Sequence, residues 1–287
     1  MIKQKISIEH TEGAVDGIYI SAGETTPLVI IINGHNGFYN YGMFPYIQNK
    51  FFENGISSFS FNYSHGGVTG DNDFFDDLEK YEKNCMRLET ADVVSVLQKT
   101  KEPPFKSHSS FYLFAHSLGG VPALFGSNKA TLFSLKINGI ILVSTVSTIR
   151  YWPPEVLQEW SVAGVYYKKN NRTQQELPQG FELLQEIMKS ETDWNILNAI
   201  KNLKVPILIV HGEKDEALPV SHAEALYHAA KSSDNKNVSM MLLPDATHTF
   251  NTKHPFTASS AELENLLALS VSWISKINQA QIQKLIS

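Results

Sequence analysis

The segments Leu28–Ile32 (LVIII), Ser57–Tyr63 (SSFSFNY), Phe111–Ala115 (FYLFA), Ile140–Val143 (IILV), Ile207–Val210 (ILIV) and Val238–Leu243 (VSMMLL) constrain the fold more than any other feature of the chain. Most are continuous apolar runs rich in β-branched residues, bounded by Gly, Pro or Asn. A strand with one wet face alternates apolar and polar residues. A continuous run suits a strand covered on both faces, as in a parallel sheet. Helical spacing fills the gaps. Leu78, Tyr81, Cys85, Leu88, Ala91 and Val94 recur three or four residues apart, and Ser221–Ala230 and Ala261–Ile274 read the same way. Strands alternating with helices predict an α/β protein with a doubly wound, mostly parallel sheet. Lys5–His10 and Val15–Ile20 read as a hairpin on the sheet edge.

From Arg150 to about Asn195 the rhythm breaks. This stretch holds Trp152, Trp160, Tyr166 and Tyr167, the Pro153-Pro154 pair and the polar run KKNNRTQQELPQG, with no convincing buried strand. An insertion of this length between two strands reads as a lid or subdomain. The expected organisation is therefore a core of residues 1–149 and 196–287 with a small cap at 150–195. The 287 residues are enough for a sizeable core.

The net charge of −5 lacks the basic excess of a partner for nucleic acid or an anionic membrane. A single cysteine, Cys85, excludes an intrachain disulfide and a Cys-rich metal site. The histidines are dispersed, with no HExxH pattern, and a metal site is not expected. The opening MIKQKISIEHTEG has no apolar core or small-residue cleavage site, and no apolar run approaches the length of a membrane span. These features lead to the expectation of a cytoplasmic protein. The oligomeric state, monomer or homodimer, is left open.

The run FYLFAHSLGG, residues 111–120, ends a strand in a serine among small residues. A serine hydroxyl is a poor nucleophile unless a base takes its proton and an acid orients that base. In a nucleophile elbow the turn crowds its own backbone, so the positions two before and two after the serine must be small. Around Ser117 these are Ala115 and Gly119. By itself this pattern also describes an ordinary turn. The run ILIVHGEKDEALPV then supplies Asp215 beyond a later strand, with Glu213 and Glu216 as close competitors. Asp215 is preferred because the loop must turn before a carboxylate faces the sheet edge. LLPDATHTF supplies His248 beyond the last strand. The order Ser117, Asp215, His248, each at the C-terminal end of a predicted strand, sets all three at the edge where open α/β sheets carry their sites.

The segments LVIIINGHNG, SFNYSHGG, FYLFAHSLGGVPAL, ILIVHGEKDEALPV and LLPDATHTF together resemble the α/β-hydrolase superfamily. Within it the chain is similar to cytoplasmic bacterial esterases that include cinnamoyl and feruloyl esterases, and to dienelactone-hydrolase-like proteins. Acyl transfer needs donors aimed at the developing oxyanion. The main-chain N–H of Leu118, next to the nucleophile, is the first. The resemblance to the family's His-Gly-x loop implies His35 as the second, although Asn33 stands where the family often has histidine. It also implies a structural turn at Asn62–Gly67, with Asn62 in the place of an aspartate. The insertion lies where relatives carry substrate caps, so its aromatics, with Phe38, Tyr39 and Tyr41 opposite, are candidates to wall an apolar acyl or aryl pocket. His65 and His254 lie in loops within reach of such a cleft.

The expected activity is cofactor-free hydrolysis of a small carboxylic ester (the class EC 3.1.1.-) through an acyl-enzyme. A thioesterase, acyltransferase or peptidase would use the same triad. A non-catalytic binding protein on this fold is the remaining alternative.

Overall fold

The computed structural model describes residues 1–170, 172–233 and 235–286. Ten strands form among them: β1 Ile2–His10, β2 Gly13–Ser21, β3 Leu28–Ile32, β4 Ser57–Asn62, β5 Phe111–His116, β6 Gly139–Val143, β7 Tyr166–Lys169, β8 Glu176–Gln179, β9 Ile207–Gly212 and β10 Val238–Leu243. The helices are α1 Phe44–Glu53, α2 Leu78–Lys83, α3 Met86–Lys99, α4 Gly120–Leu132, α5 Pro154–Ala163, α6 Phe181–Met188, α7 Ile196–Lys201, α8 Ser221–Lys231 and α9 Ala261–Ile286. Eight strands make one sheet in the order β1-β2-β4-β3-β5-β6-β9-β10. From β4 to β10 every pairing is parallel; β1 and β2 form the antiparallel edge hairpin read from the sequence.

The continuous apolar runs have a simple cause. Successive side chains of a strand point to opposite faces, and here both faces are covered. Leu28, Ile30, Ile32, Leu113, Ala115, Ile140, Leu142, Ile207 and Ile209 join the core under α3, α4 and α8. Their neighbours Val29, Ile31, Tyr112, Phe114, Ile141, Val143, Leu208 and Val210 join the other core, under α1 and α9. Ile30 and Ile31 both lose all contact with solvent, each burial worth about 2 kcal/mol.

Two features depart from the sequence reading. The pattern from Leu78 to Val94 is two helices rather than one, because Asn84 and Cys85 are extended between α2 and α3. The N-terminus of α3 is held from the insertion: the Glu186 carboxylate of α6 accepts the Met86 and Arg87 main-chain N–H groups at 2.6 and 3.0 Å. A carboxylate there satisfies open donors and complements the helix dipole. The stretch 150–195, read as lacking a buried strand, contains the β7–β8 hairpin between α5 and α6. β7 is mostly exposed, whereas Leu177, Pro178 and Gln179 of β8 are buried. Leu157, Trp160, Leu183, Leu184 and Ile187 of the insertion are continuous with the main core. No helix among the described residues is long and apolar enough to cross a membrane.

Candidate active site

The site grows from the C-terminal end of β5. His116 closes the strand in extended conformation, and Ser117 then turns left-handed at φ 56° before the chain enters α4. A non-glycine residue at positive φ is strained, and here the turn lifts the hydroxyl off the sheet. Close backbone packing holds it. A Cβ on Gly119 would stand 2.2 Å from the Asn33 carbonyl oxygen, and one on Gly34 would stand 2.9 Å from the Ser117 Cβ. The small residues expected at the elbow thus have an observed cause, and the loop after β3 passes directly against the serine.

Three side chains distant in sequence meet here. Ser117 Oγ donates to His248 Nε2 at 3.0 Å, and His248 Nδ1–H donates to the Asp215 carboxylate at 2.8 and 3.0 Å. The carboxylate sets the tautomer that leaves Nε2 free to accept. Asp215 is fixed in turn by the Ala217 and Leu218 main-chain N–H groups at 3.0 and 2.8 Å. Burial pushes its carboxyl up, but its bond to His248, the charge of that ring and the Leu218 N–H outweigh this and hold the group below the usual carboxylate range. Of the rival acids, Glu213 is exposed and Glu216 accepts only the His248 main-chain N–H, at 3.3 Å.

The remaining histidines sort by environment. His116 Nε2 donates to the His248 carbonyl oxygen at 2.9 Å, and burial followed by the charge of His248 pushes its ring down to about 3. It buttresses the loop that carries His248. His211 is fully buried, with Nε2 2.9 Å from the Leu218 carbonyl oxygen, in the same Asp215 loop. His254 lines the cleft and stacks on Tyr41 at 4.4 Å, whereas His65 borders a separate, smaller depression.

His35, the residue implied for the oxyanion loop, also lies on the cleft. Burial, followed by the charge of Lys168, pushes its ring down to about 3, so it is neutral. Gln179 of β8 donates to its Nε2 at 2.5 Å, and Tyr81 of α2 reaches the same nitrogen at 3.2 Å. The loop is therefore gripped by the inserted hairpin. Leu118 sits in the first turn leading into α4, where main-chain N–H groups have no intrahelical acceptor. Asn33 donates to the Phe61 carbonyl oxygen at 2.7 Å, and Asn62 bridges the Tyr39 N–H and the Val68 carbonyl at 2.8 and 3.2 Å. Both asparagines thus hold loops.

The cleft over Ser117 has a volume of about 400 Å³. Its walls differ from those expected. Trp152, Trp160, Tyr166 and Tyr167 are not among the lining residues; Trp152 and Trp160 are core residues, and Tyr167 faces solvent. Of Phe38, Tyr39 and Tyr41, only Tyr41 lines the cleft. The insertion contributes Lys168, Lys169, Asn170 and Arg172 instead. The sequence signal for them was the polar run after Tyr167, which has the composition of a solvated loop. No group of three His, Cys, Asp or Glu placed to hold a metal ion occurs among the described residues.

Comparison with known proteins extends this geometry. The chain is 25% identical over 210 residues, 63% of its length and 77% of the other, to a pimeloyl-(acyl-carrier protein) methyl ester esterase of Wigglesworthia glossinidia brevipalpis. Its fold is similar to that of Est1E from Butyrivibrio proteoclasticus with ferulic acid bound, at TM-score 0.67 and 17% identity, covering 98% of this chain and 100% of the other. It is also similar to dienelactone hydrolase from Anabaena variabilis, at TM-score 0.63 and 13% identity, covering 96% and 97%. Residues 79–276, more than half of the chain and spanning Ser117, Asp215 and His248, match the prolyl oligopeptidase family, Peptidase_S9. The protein is an α/β hydrolase and belongs to that family.

Proposed function

We propose that the protein is a serine hydrolase that cleaves a carboxylic ester through an acyl-enzyme. The observation that carries this reading is the continuous relay from Ser117 through His248 to Asp215, with steps of 3.0 and 2.8 Å at the floor of an open cleft. Ser117 attacks the carbonyl while His248 takes its proton. Asp215 keeps the ring oriented and balances the imidazolium. The main-chain N–H groups of Leu118 and His35 hold the tetrahedral oxyanion, each worth about 3 kcal/mol. His248 returns the proton to the leaving alcohol. A water, activated by the same ring, then releases the acid and restores Ser117. The esterase among the relatives by sequence supports the ester over other acyl derivatives.

Hydrolysis of 4-nitrophenyl esters by wild type and Ser117→Ala tests the proposal. The variant is expected to lose activity by about 10⁴-fold or more, and a fluorophosphonate probe is expected to label wild type at Ser117 only. Equal turnover by the two proteins would remove Ser117 from the mechanism.

Family membership favours a second reading, a peptidase with the same triad. A peptidase that anchors a free amino terminus needs an acidic side chain near the nucleophile, and among the described residues the cleft lining includes no Asp or Glu. Comparing aminoacyl 4-nitroanilides with the matching esters separates the two.

A further inference from the structure

The charge around the cleft is opposite to that of the protein. The chain carries a net charge of −5. Yet among the described residues those lining the cleft include four cations, Lys168, Lys169, Arg172 and Lys253, and no carboxylate side chain. Elsewhere, Lys5 pairs with Asp71, Lys50 with Glu53, Lys80 with Asp77, Lys99 with Glu102 and Lys214 with Asp245, whereas among the described residues other lysines, such as Lys3 and Lys129, stand without an ion pair in open solvent rather than on the wall of a cleft. Among the described residues none of the four cleft cations makes an ion pair. Arg172 lies 5.0 Å over the Tyr41 ring, its guanidinium set against an aromatic wall. Glu216 exerts only a favourable pull on Arg172 from outside the lining. Asp73 acts in the same way on His254, and Asp215 is already committed to His248.

Lys168 is central to this arrangement. It lies on β7, and its charge reaches His35 on the oxyanion loop. Loss of hydration holds its ammonium below the usual lysine range. Lys168 stands exposed on the cleft wall without a carboxylate partner, so an anion entering the cleft meets a free cation there. Several such charges on the walls of one concavity focus a positive field into it.

We propose that the substrate is an ester bearing a second, anionic group, a carboxylate or a phosphate, which Lys168 and its neighbours Lys169, Arg172 and Lys253 hold while Ser117 attacks the ester carbonyl. This deepens the serine-hydrolase reading and rests on it. The cations recognise charge rather than extending the catalytic relay, and they make the hairpin a specificity element. An uncharged aryl or alkyl ester would leave them unpaired on the cleft wall.

The test uses matched esters that differ in one charge. In the first arm, mono-4-nitrophenyl glutarate is compared with its methyl ester, which places the anion on the acyl side. In the second, 4-acetoxybenzoate is compared with its methyl ester, and in the third, 4-acetoxyphenyl phosphate with its dimethyl ester, which place a carboxylate or a phosphate on the leaving group. Each kcat/KM is divided by the rate of hydroxide hydrolysis of the same ester. In at least one arm the anionic member is expected to lead by about tenfold at about 0.01 M ionic strength, where the field is least screened, and to lose most of that lead at about 0.5 M. The lead is expected to fall at least about threefold in Lys168→Gln/Arg172→Gln and to persist in Lys168→Arg. Parity or a neutral preference in all three arms overturns the proposal, as does a lead that the double glutamine variant leaves intact. Titration of glutarate into Ser117→Ala, wild type and Lys168→Gln/Arg172→Gln separates the two readings. If no ester turns over but glutarate binds the first two proteins and not the third, the anion site stands and ester hydrolysis fails. Neither turnover nor binding sinks both.

Discussion

Two histidine–aspartate pairs in this protein have nearly the same N···O separation and different surroundings. His248 and Asp215 meet at 2.8 Å, and His10 and Asp92 meet at 2.7 Å. In both pairs the carboxylate is almost fully buried and anchored by a main-chain N–H: Leu218 for Asp215, Ser64 for Asp92. Nδ1 of His248 faces its carboxylate, whereas His10 uses Nε2, and the larger difference lies at the second ring nitrogen. That of His248 accepts from a strained serine facing a cleft, whereas that of His10 accepts the Glu12 main-chain N–H of its own hairpin at 3.4 Å. A His–Asp pair alone is a device that ties β1 to α3. It becomes a candidate for chemistry only when an elbow brings a hydroxyl to the free nitrogen.

The sharpest break between the pairs is in turnover. Asp215→Asn leaves the shape but permits the wrong tautomer, so kcat for a 4-nitrophenyl ester is expected to fall by about 10⁴-fold. His10→Gln is expected to change kcat by less than about twofold, since the ring touches neither cleft nor serine. Comparable losses in the two variants would erase the distinction. A second substitution attacks the elbow that the His10 pair lacks. The Cβ of Gly119→Ala would meet the Asn33 carbonyl oxygen at 2.2 Å, so the turn must shift. Melting should register overpacking of about 1–3 kcal/mol or more, and the folded fraction should hydrolyse esters about 10²-fold more slowly through a misplaced hydroxyl.

Stability reverses the ranking of the pairs. His10→Ala leaves Asp92, which is fully buried, without its ring partner, and is expected to cost about 3 kcal/mol in denaturant unfolding. A cost below about 0.5 kcal/mol would show that the pair contributes little to the fold. The smallest effect is in pH. Contact with Asp92 raises the folded-state pKa of His10 despite opposing desolvation, with the charges of Asp92 and Glu12 adding to it. A group whose pKa is raised by folding contributes fully below its unfolded value, about 6.5, and loses that contribution as pH rises through the folded value. The melting gap between wild type and His10→Gln should therefore be wider at about pH 6 than at about pH 9. A gap that widens with pH would contradict the assignment.

Much of this was legible in the residues. The runs LVIII, IILV and ILIV are apolar at every position because each strand is covered on both faces, and that pattern is local. Ser117, Asp215 and His248 could be named because each lies just beyond a recognisable strand end. The break between α2 and α3 was not legible, since Asn84 and Cys85 do not interrupt the apolar spacing. What sets the new helix start is Glu186, a hundred residues away from Met86. The hairpin after Tyr166 was also missed, because β7 is exposed and its Lys168-Lys169 pair resembles solvated loop.

The amino-acid order by itself determined the doubly wound sheet and the succession of Ser117, Asp215 and His248 along its edge, because strand periodicity and small elbow residues act over a few neighbours. Only the tertiary structure decided that Asp215 rather than Glu213 or Glu216 faces His248, that Gln179 and Tyr81 grip the His35 ring, and that cations rather than tryptophans border the cleft. Those outcomes depend on where separate segments point after they pack, and each is set by contacts between residues far apart in the chain.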